Sequence, residues 1–365
     1  MPGPGITRPK NKRVANFTFL LIGLLCAVTP ARTLSELVYF HSQPDAAKSA
    51  PSQSTQLPPN QSGASTAPPA HSDQQQSPDD NGTYVIRKDV DEVLLHATVI
   101  DDKQHIVTNL DKNAFAVFED GKPQPIISFR HEDIPVAMGV VIDNSGSMRE
   151  KRAKVNQAAL NLVRASNAQD EVFVVNFNDE YYLDQDFTSD LLLLKQALEK
   201  IDTKGGTALY GAVVASAEHL KRNARLERKV LFVVTDGEDN ASRESLEQAV
   251  KLLQEENGPS VYAIGILGDE EHPRRARRAL ETIAQRTGGL AFFPSTLDQV
   301  DEISRQVAHD IRNQYTIGYK PTNPRSSGGF RQIRVDAKVK GRGKLIVRTK
   351  SGYYAGTQTA AVGAK

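Results

Sequence analysis

Three short segments concentrate the oxygen chemistry of this 365-residue chain. Asp143-Asn144-Ser145-Gly146-Ser147-Met148 follows a nearly unbroken apolar run from Val136 to Ile142. Thr235-Asp236-Gly237 follows a second run, Val230 to Val234, and Gly205-Gly206-Thr207-Ala208-Leu209 stands between the two, just before a helical pattern. Together they offer two carboxylates, two serine hydroxyls and a threonine hydroxyl, all hard donors. Magnesium takes roughly six oxygens in near-octahedral geometry, keeps several waters and is held by one or two carboxylates. An ion held by neutral hydroxyls stays electron-poor and seeks one more anionic oxygen from outside. Such a set suits carboxylate binding better than hydrolysis. One Asp- and Ser-rich loop at a strand end is an ordinary turn; three at the same sheet edge argue for a metal.

Other chemistries lack their patterns. No G-x-S-x-G, HExxH or GxxxxGK[ST] occurs, so hydrolase, zincin and P-loop readings have no support and no enzymatic activity is expected. The single cysteine, Cys26, rules out an internal disulfide framework, a Cys-based zinc site and a CxxC redox pair. The eight histidines are scattered, and His96 and His105 read as structural or solvated. Arg274-Arg275-Ala276-Arg277-Arg278, preceded by Glu270-Glu271, reads as a solvated helix face, and Glu238-Asp239 as solvated charges before a helix beginning near Ser242. With 45 basic and 44 acidic residues the net charge is +1, which offers no global field for nucleic acid or an anionic surface.

The elements that must position the three loops are legible by periodicity. From 134 onward, apolar strands (Val136–Ile142, Val172–Phe177, Val230–Val234, Val261–Ile266 and a short Leu290–Phe293) alternate with helical stripes near 151–166, 191–201, 209–220, 245–256 and 276–285, and a closing helix carries Leu297, Val300, Ile303, Val307 and Ile311. Tyr181 to Phe187 reads as an edge strand. This alternation predicts an α/β fold: a doubly wound, mainly parallel sheet with helices on both faces. Residues 84–130 read as a short β unit in which Phe115–Lys122 ends in an Asp120-Gly121 hairpin turn and Ile126–Arg130 returns. Tyr315–Tyr319, Phe330–Ala337 and Leu345–Thr349 form a second. Each is too thin to hold a core alone, so the two are expected to pack as one small antiparallel sandwich with the α/β body inserted between them.

Taken together, Asp143-x-Ser145-x-Ser147, Thr207 in a Gly-Gly-Thr loop and Asp236 in Thr-Asp-Gly resemble the metal-ion-dependent adhesion site of von Willebrand factor A domains, in the same order along the chain. The resemblance covers about residues 133–313. It implies that Ser145, Ser147 and Thr207 ligate Mg²⁺ or Mn²⁺, directly or through water, while Asp143 and Asp236 hold its waters. It further implies that a partner protein's Glu or Asp fills the remaining position. The segments Val117-Phe118-Glu119-Asp120-Gly121-Lys122-Pro123-Gln124 and Tyr315-Thr316-Ile317-Gly318-Tyr319-Lys320-Pro321 resemble the flanks of a bacterial exported VWFA-related family. The expected function is an exported, metal-dependent protein-binding module of adhesion type. The alternative is a VWA subunit of an ATPase-dependent chaperone or metal-chelatase-like complex.

The first 35 residues carry Arg8, Lys10, Lys12, Arg13 and Arg32, no acid, and an apolar run of twelve from Phe17 to Val28. That is signal-peptide length and short of the about 20 residues of a comfortable span. A cleaved signal and an uncleaved anchor that tethers the chain to a membrane both remain open; both export the rest. From Ser42 to Gly82 only Leu57 is a large apolar residue, which is the composition of a disordered spacer. The expected organisation is a signal or anchor over 1–35, a linker over 36–83, half-sandwiches over 84–132 and 314–356 around a body over 133–313, and a tail over 357–365.

Overall fold

The computed structural model describes residues 92–200, 203–268 and 272–356. The expected leader, linker and tail lie outside these residues, as do Tyr84 to Asp91, Ile201 and the Glu270-Glu271 pair.

In β1 (Val93–Ile100), Val93, Leu95, Ala97 and Val99 point into a core, and burial alternates over the first half of the strand; Thr98 and Ile100 on the other face are buried too. β2 (Phe115–Glu119) turns through Asp120 and Gly121, at φ +48° and +78°, into β3 (Lys122–Gln124). Positive φ at both central residues is the two-residue hairpin geometry that Asp-Gly favours. The returning partner of β2 is therefore β3 and not the expected Ile126–Arg130. Pro125, with no N–H to donate, stands where the ladder stops, and β4 (Ile126–Arg130) departs to a different sheet.

The body then runs β5 (Val136–Asp143), α1 (Arg152–Ala165), β6 (Glu171–Phe177), β7 (Tyr181–Thr188), α2 (Leu191–Leu198), α3 (Leu209–Asn223), β8 (Arg228–Thr235), α4 (Leu246–Leu253), β9 (Ser260–Gly265), α5 (Pro273–Thr287), β10 (Ala291–Phe292) and α6 (Gln299–Arg312). Its six strands are ordered β10-β9-β8-β5-β6-β7, parallel except for the antiparallel edge strand β7. Every residue of β5 is buried. Val136, Met138, Val140 and Ile142 face a core closed by α1, α2 and α6, while Ala137 and Val141 face one closed by α3, α4 and α5. Helices on both faces are why the strand reads as a continuous apolar run. The doubly wound α/β reading is thus the observed fold. α4 is shorter than its apolar pattern, since Ser245 caps it in a reciprocal capping box with Gln248 and the helix ends at Leu253.

The chain finishes with β11 (Tyr315–Tyr319), β12 (Gly329–Ala337), β13 (Ile346–Arg348) and β14 (Gly352–Ala355). These strands interleave with the first four in two antiparallel sheets, β13-β1-β11-β4 and β14-β12-β2-β3. Leu95, Val99, Tyr315, Ile317 and Tyr319 from one sheet share a core with Phe115, Val117, Ile333, Val335 and Tyr353 from the other. The flanks of the body thus form a single sandwich that neither could build alone. Among the described residues no helix is long and apolar enough to cross a membrane.

Candidate metal centre

From β5 the chain winds outward through β6 and β7; from β8 it winds the opposite way through β9 and β10. β5 and β8 lie side by side at the reversal, and the carboxyl ends of such a pair open the crevice where doubly wound sheets bind ligands. Asp143 is the last residue of β5, and Asp236 directly follows β8. Asp143 is fully buried; its Oδ2 accepts from the Thr235 hydroxyl at 2.6 Å and its Oδ1 from the Ser145 backbone N–H at 2.7 Å. Beyond it the chain makes a single 3-10 turn, Gly146–Met148, which presents Ser147 at the surface. The Ser145 and Ser147 hydroxyl oxygens are 3.1 Å apart, and the Ser147 hydroxyl donates to Asp236 Oδ1 at 2.8 Å.

Thr207 is carried to the same place by the loop that enters α3. The Lys204 N–H donates to Asn144 O at 3.2 Å and the Gly146 N–H to Gly205 O at 3.4 Å, which ties this loop to the Asp143 loop. Thr207 Oγ1 lies against Gly237, 3.4 Å from where a Cβ would stand there. Gly205 is at φ +71°, and a Cβ on it would fall 1.9 Å from Asp179 Oδ2; one on Gly206 would fall 2.5 Å from Asn240 Oδ1. The glycine pair is needed because those two side chains close over the loop. Asp179 accepts from the Gly206 N–H at 2.7 Å and Asn240 from the Thr207 N–H at 2.8 Å.

All five residues singled out in the sequence therefore converge at one edge of the sheet. Four others there carry no signal at that level beyond ordinary turn chemistry. Asp179 and Asn240 hold the threonine loop. Lys151 pairs its ammonium with the second oxygen of Asp236. Asp239, read in the sequence as a solvated charge before a helix near Ser242, instead accepts from the Tyr210 N–H at 2.7 Å and from the Ser242 hydroxyl at 2.6 Å, and so caps the first turn of α3. A carboxylate satisfies orphan amides there better than water does, and the next helix starts only at Leu246.

Burial pushes the Asp143 carboxyl up to about 6, with the Asp236 charge adding to the rise, against the lowering by the Thr235 and Ser145 hydrogen bonds. Behind it lies Arg152, fully buried, donating to Asn176 Oδ1 at 2.8 Å and Leu198 O at 3.1 Å. Burial lowers its guanidinium to about 10, while the charges of Asp143 and Asp184 favour it. Two carboxylates thus face two cations of the chain, one buried behind the site and one at its rim. Among the described residues no group of three or more His, Cys, Asp or Glu side chains is arranged to hold a metal, so a cation here would depend on hydroxyl oxygens. Of the two histidines read from the sequence, His105 is exposed beside Asp101, and His96 is half-buried with its Nδ1 3.3 Å from the Thr316 hydroxyl. The arginines at 274, 275, 277 and 278 are exposed along α5, with Arg277 over the Phe293 ring at 3.8 Å.

Residues 138–238 match the family model of the von Willebrand factor type A domain, a span that holds all five site residues. No match was found among curated proteins. Similar solved structures include a von Willebrand factor type A protein from Catenulispora acidiphila, 14% identical over 74% of this chain and 74% of that one, with a TM-score of 0.43. An aerotolerance-related membrane protein from Bacteroides fragilis NCTC 9343 is 19% identical over 48% of this chain and 98% of that one, with a TM-score of 0.40. Proximal thread matrix protein 1 from the mussel byssus, with a zinc-occupied MIDAS motif, is 20% identical with a TM-score of 0.43; the match covers 53% of this chain and 50% of that one, about half its length.

Proposed function

We propose that this chain is an exported protein-binding module of adhesion type, which recognises an acidic side chain of a partner through a bound Mg²⁺ or Mn²⁺, and that it is not an enzyme. The observation that carries the reading is the continuous run of hydrogen bonds from the Thr235 hydroxyl through Asp143, the Ser145 backbone N–H and the Ser145 and Ser147 hydroxyls to Asp236, with Thr207 folded against it at the switch point of the sheet. The donor set fits a hard divalent cation: it is all oxygen, with no thiolate or imidazole to favour a softer metal. An ammonium on Asp236 shows that this spot already attracts positive charge.

Ser145, Ser147 and Thr207 would hold the ion, with Asp143 and Asp236 behind them to hold its waters. When bound, the cation supplies a Lewis-acid position for one carboxylate oxygen of a partner's Glu or Asp. The chain's own residues prepare that position. The Ser147 hydroxyl spends its proton on Asp236 and accepts from Ser145, which leaves one lone pair for the ion. Asp143 fixes the Ser145 backbone, so the hydroxyl is placed without a search through rotamers of the loop. The basic, apolar amino-terminal segment supports export, with a membrane tether if it is retained.

Calorimetric titration with Mn²⁺ tests the reading. The wild-type chain should bind with modest affinity, since one coordination position is left to water. Ser147→Ala, at an exposed site, should weaken binding about tenfold, and Asp143→Ala with Asp236→Ala should abolish it. Immobilised chain should retain an acidic envelope protein in Mg²⁺ and release it in EDTA. Undiminished Mn²⁺ affinity in the double variant, or no binding in the wild type, overturns the proposal.

A further inference from the structure

At the far end of β8 from Asp236, roughly 20 Å away by the rise of a strand, a cavity of about 190 Å³ lies at the junction of the α/β body and the sandwich. Its walls come from both parts: Lys229 at the start of β8, Asn257 before β9 and Thr287 at the end of α5 belong to the body, while His96 on β1 and Lys350 between β13 and β14 belong to the sandwich. We infer that this cavity is a binding site for a small oxyanion of phosphate type, held between the Lys229 and Lys350 ammonium groups and joining the sandwich to the body.

The charge arrangement is the reason. Two lysines line one partly open cleft, and among the described residues neither has a carboxylate within ion-pair distance; Lys350 has only the Tyr353 ring, 5.8 Å away. The carboxylate on the wall, Glu227, is already taken by Arg130 at 2.9 Å. Glu256 lies close enough to favour the Lys350 ammonium, yet burial and the Lys229 charge outweigh it and bring that lysine down to about 8. Burial also lowers Lys229, with Lys221 adding to the effect. His96 is held neutral by burial and by the charges of Arg228, Lys350 and Arg130, so with Nδ1 turned to Thr316 its Nε2 can serve as a polar wall without adding charge. Bringing two like charges together costs free energy that a doubly charged ligand returns. Orthophosphate fits within the volume, and short charge-assisted bonds from two lysines suit its oxygens.

The inference is independent of the cation site and is tested in EDTA on the full chain. Inorganic phosphate is titrated by calorimetry at constant ionic strength in chloride, with a phosphomonoester as a second arm. The wild type should bind phosphate saturably at millimolar concentration or below, and its melting temperature should rise with phosphate but not with added chloride. Lys229→Met and Lys350→Met should each weaken binding about tenfold, and Lys350→Arg should keep it. Phosphomonoester binding of equal strength marks the head of a larger molecule as occupant; its exclusion marks the free ion; either supports the site. If Lys229→Met fails to fold, the Lys350 pair of variants decides the question alone. No phosphate binding to the wild type at 10 mM, or wild-type affinity in Lys350→Met, overturns it.

Discussion

At the scale of single residues, the candidate metal centre is a balance of charge. Asp143 and Asp236 are both fully buried, and each meets positive charge supplied by the chain: Arg152 lies behind Asp143, and Lys151 reaches Asp236 from the rim. The Lys151 side chain is about a quarter exposed, so it can swing out to solvent while Arg152 cannot. A divalent ion arriving at Ser147 meets the ammonium as a like charge. Lys151→Met should therefore tighten Mn²⁺ binding about tenfold, the equivalent of ~1.4 kcal/mol. The same variant should melt lower than wild type in EDTA, because the buried Asp236 charge loses its cation and keeps, among the described residues, only the Ser147 hydroxyl, and should recover in Mn²⁺. Calorimetry and thermal melts read both effects; weaker Mn²⁺ binding in the variant would mean that the ammonium assists the ion instead of competing with it.

At the scale of elements, the position of β5 depends on a carboxylate outside it. Asp170, in the turn before β6, accepts from the Val136 N–H at 2.8 Å and from the Asn167 N–H at 3.1 Å, and so fixes both the start of β5 and its own turn. Burial pushes this carboxyl up to about 6, against the lowering by those two backbone bonds. A folded-state value above the unfolded one means that the folded state holds the proton more tightly, so stability falls as pH rises through the window between roughly 4 and 6. Relative to Asp170→Asn, which has no such titration, wild-type stability should drop by up to about 3 kcal/mol between pH 4 and pH 7. Urea unfolding of both chains at a series of pH values measures the difference. A difference independent of pH would show that Asp170 titrates in the ordinary carboxylate range.

At the scale of the whole molecule, the sandwich closes around a buried ionic network. Glu119 and Arg331, each almost fully buried, pair at 3.2 Å across β2 and β12, one from each flank of the body. Glu119 Oε2 also accepts from the Tyr319 hydroxyl at 2.6 Å and the Tyr353 hydroxyl at 3.0 Å, and Arg331 donates to Asn323 O and Pro324 O. Removing one partner leaves an uncompensated charge in the core. Arg331→Met should cost about 3–5 kcal/mol in denaturant unfolding, and adding Glu119→Leu should restore much of that loss. The body and sandwich are further joined by Arg228, which donates to Ile311 O and to the Thr316 hydroxyl at 3.0 Å, and by Arg348, which donates to Asp310 at 2.8 Å. A double variant no more stable than Arg331→Met would show that the hydroxyl bonds of Tyr319 and Tyr353 to Glu119, and not the charge pair, carry the stability of this network.

What the sequence determined was whatever repeats over a few residues. The continuous apolar run of β5 follows from the two faces that strand buries, and the oxygen-rich loops are visible because two stand at the ends of such runs and the third just before a helical pattern. Their meeting at one sheet edge follows from strand order, which a doubly wound pattern constrains strongly. Contacts across long stretches of chain had no such local trace. Lys151 and Asp236 are 85 residues apart and meet only because α1 starts beside the end of β8. Asp239 serves α3 instead of a helix of its own because that helix has orphan amides within its reach. β4 follows a proline and a completed hairpin, so its apolar side chains were free to join β11, a choice made by a strand nearly 190 residues later. The pairing of Lys229 with Lys350 around one cavity is of the same kind: each is an unremarkable surface lysine by pattern, and only the docking of sandwich on body brings the two charges together.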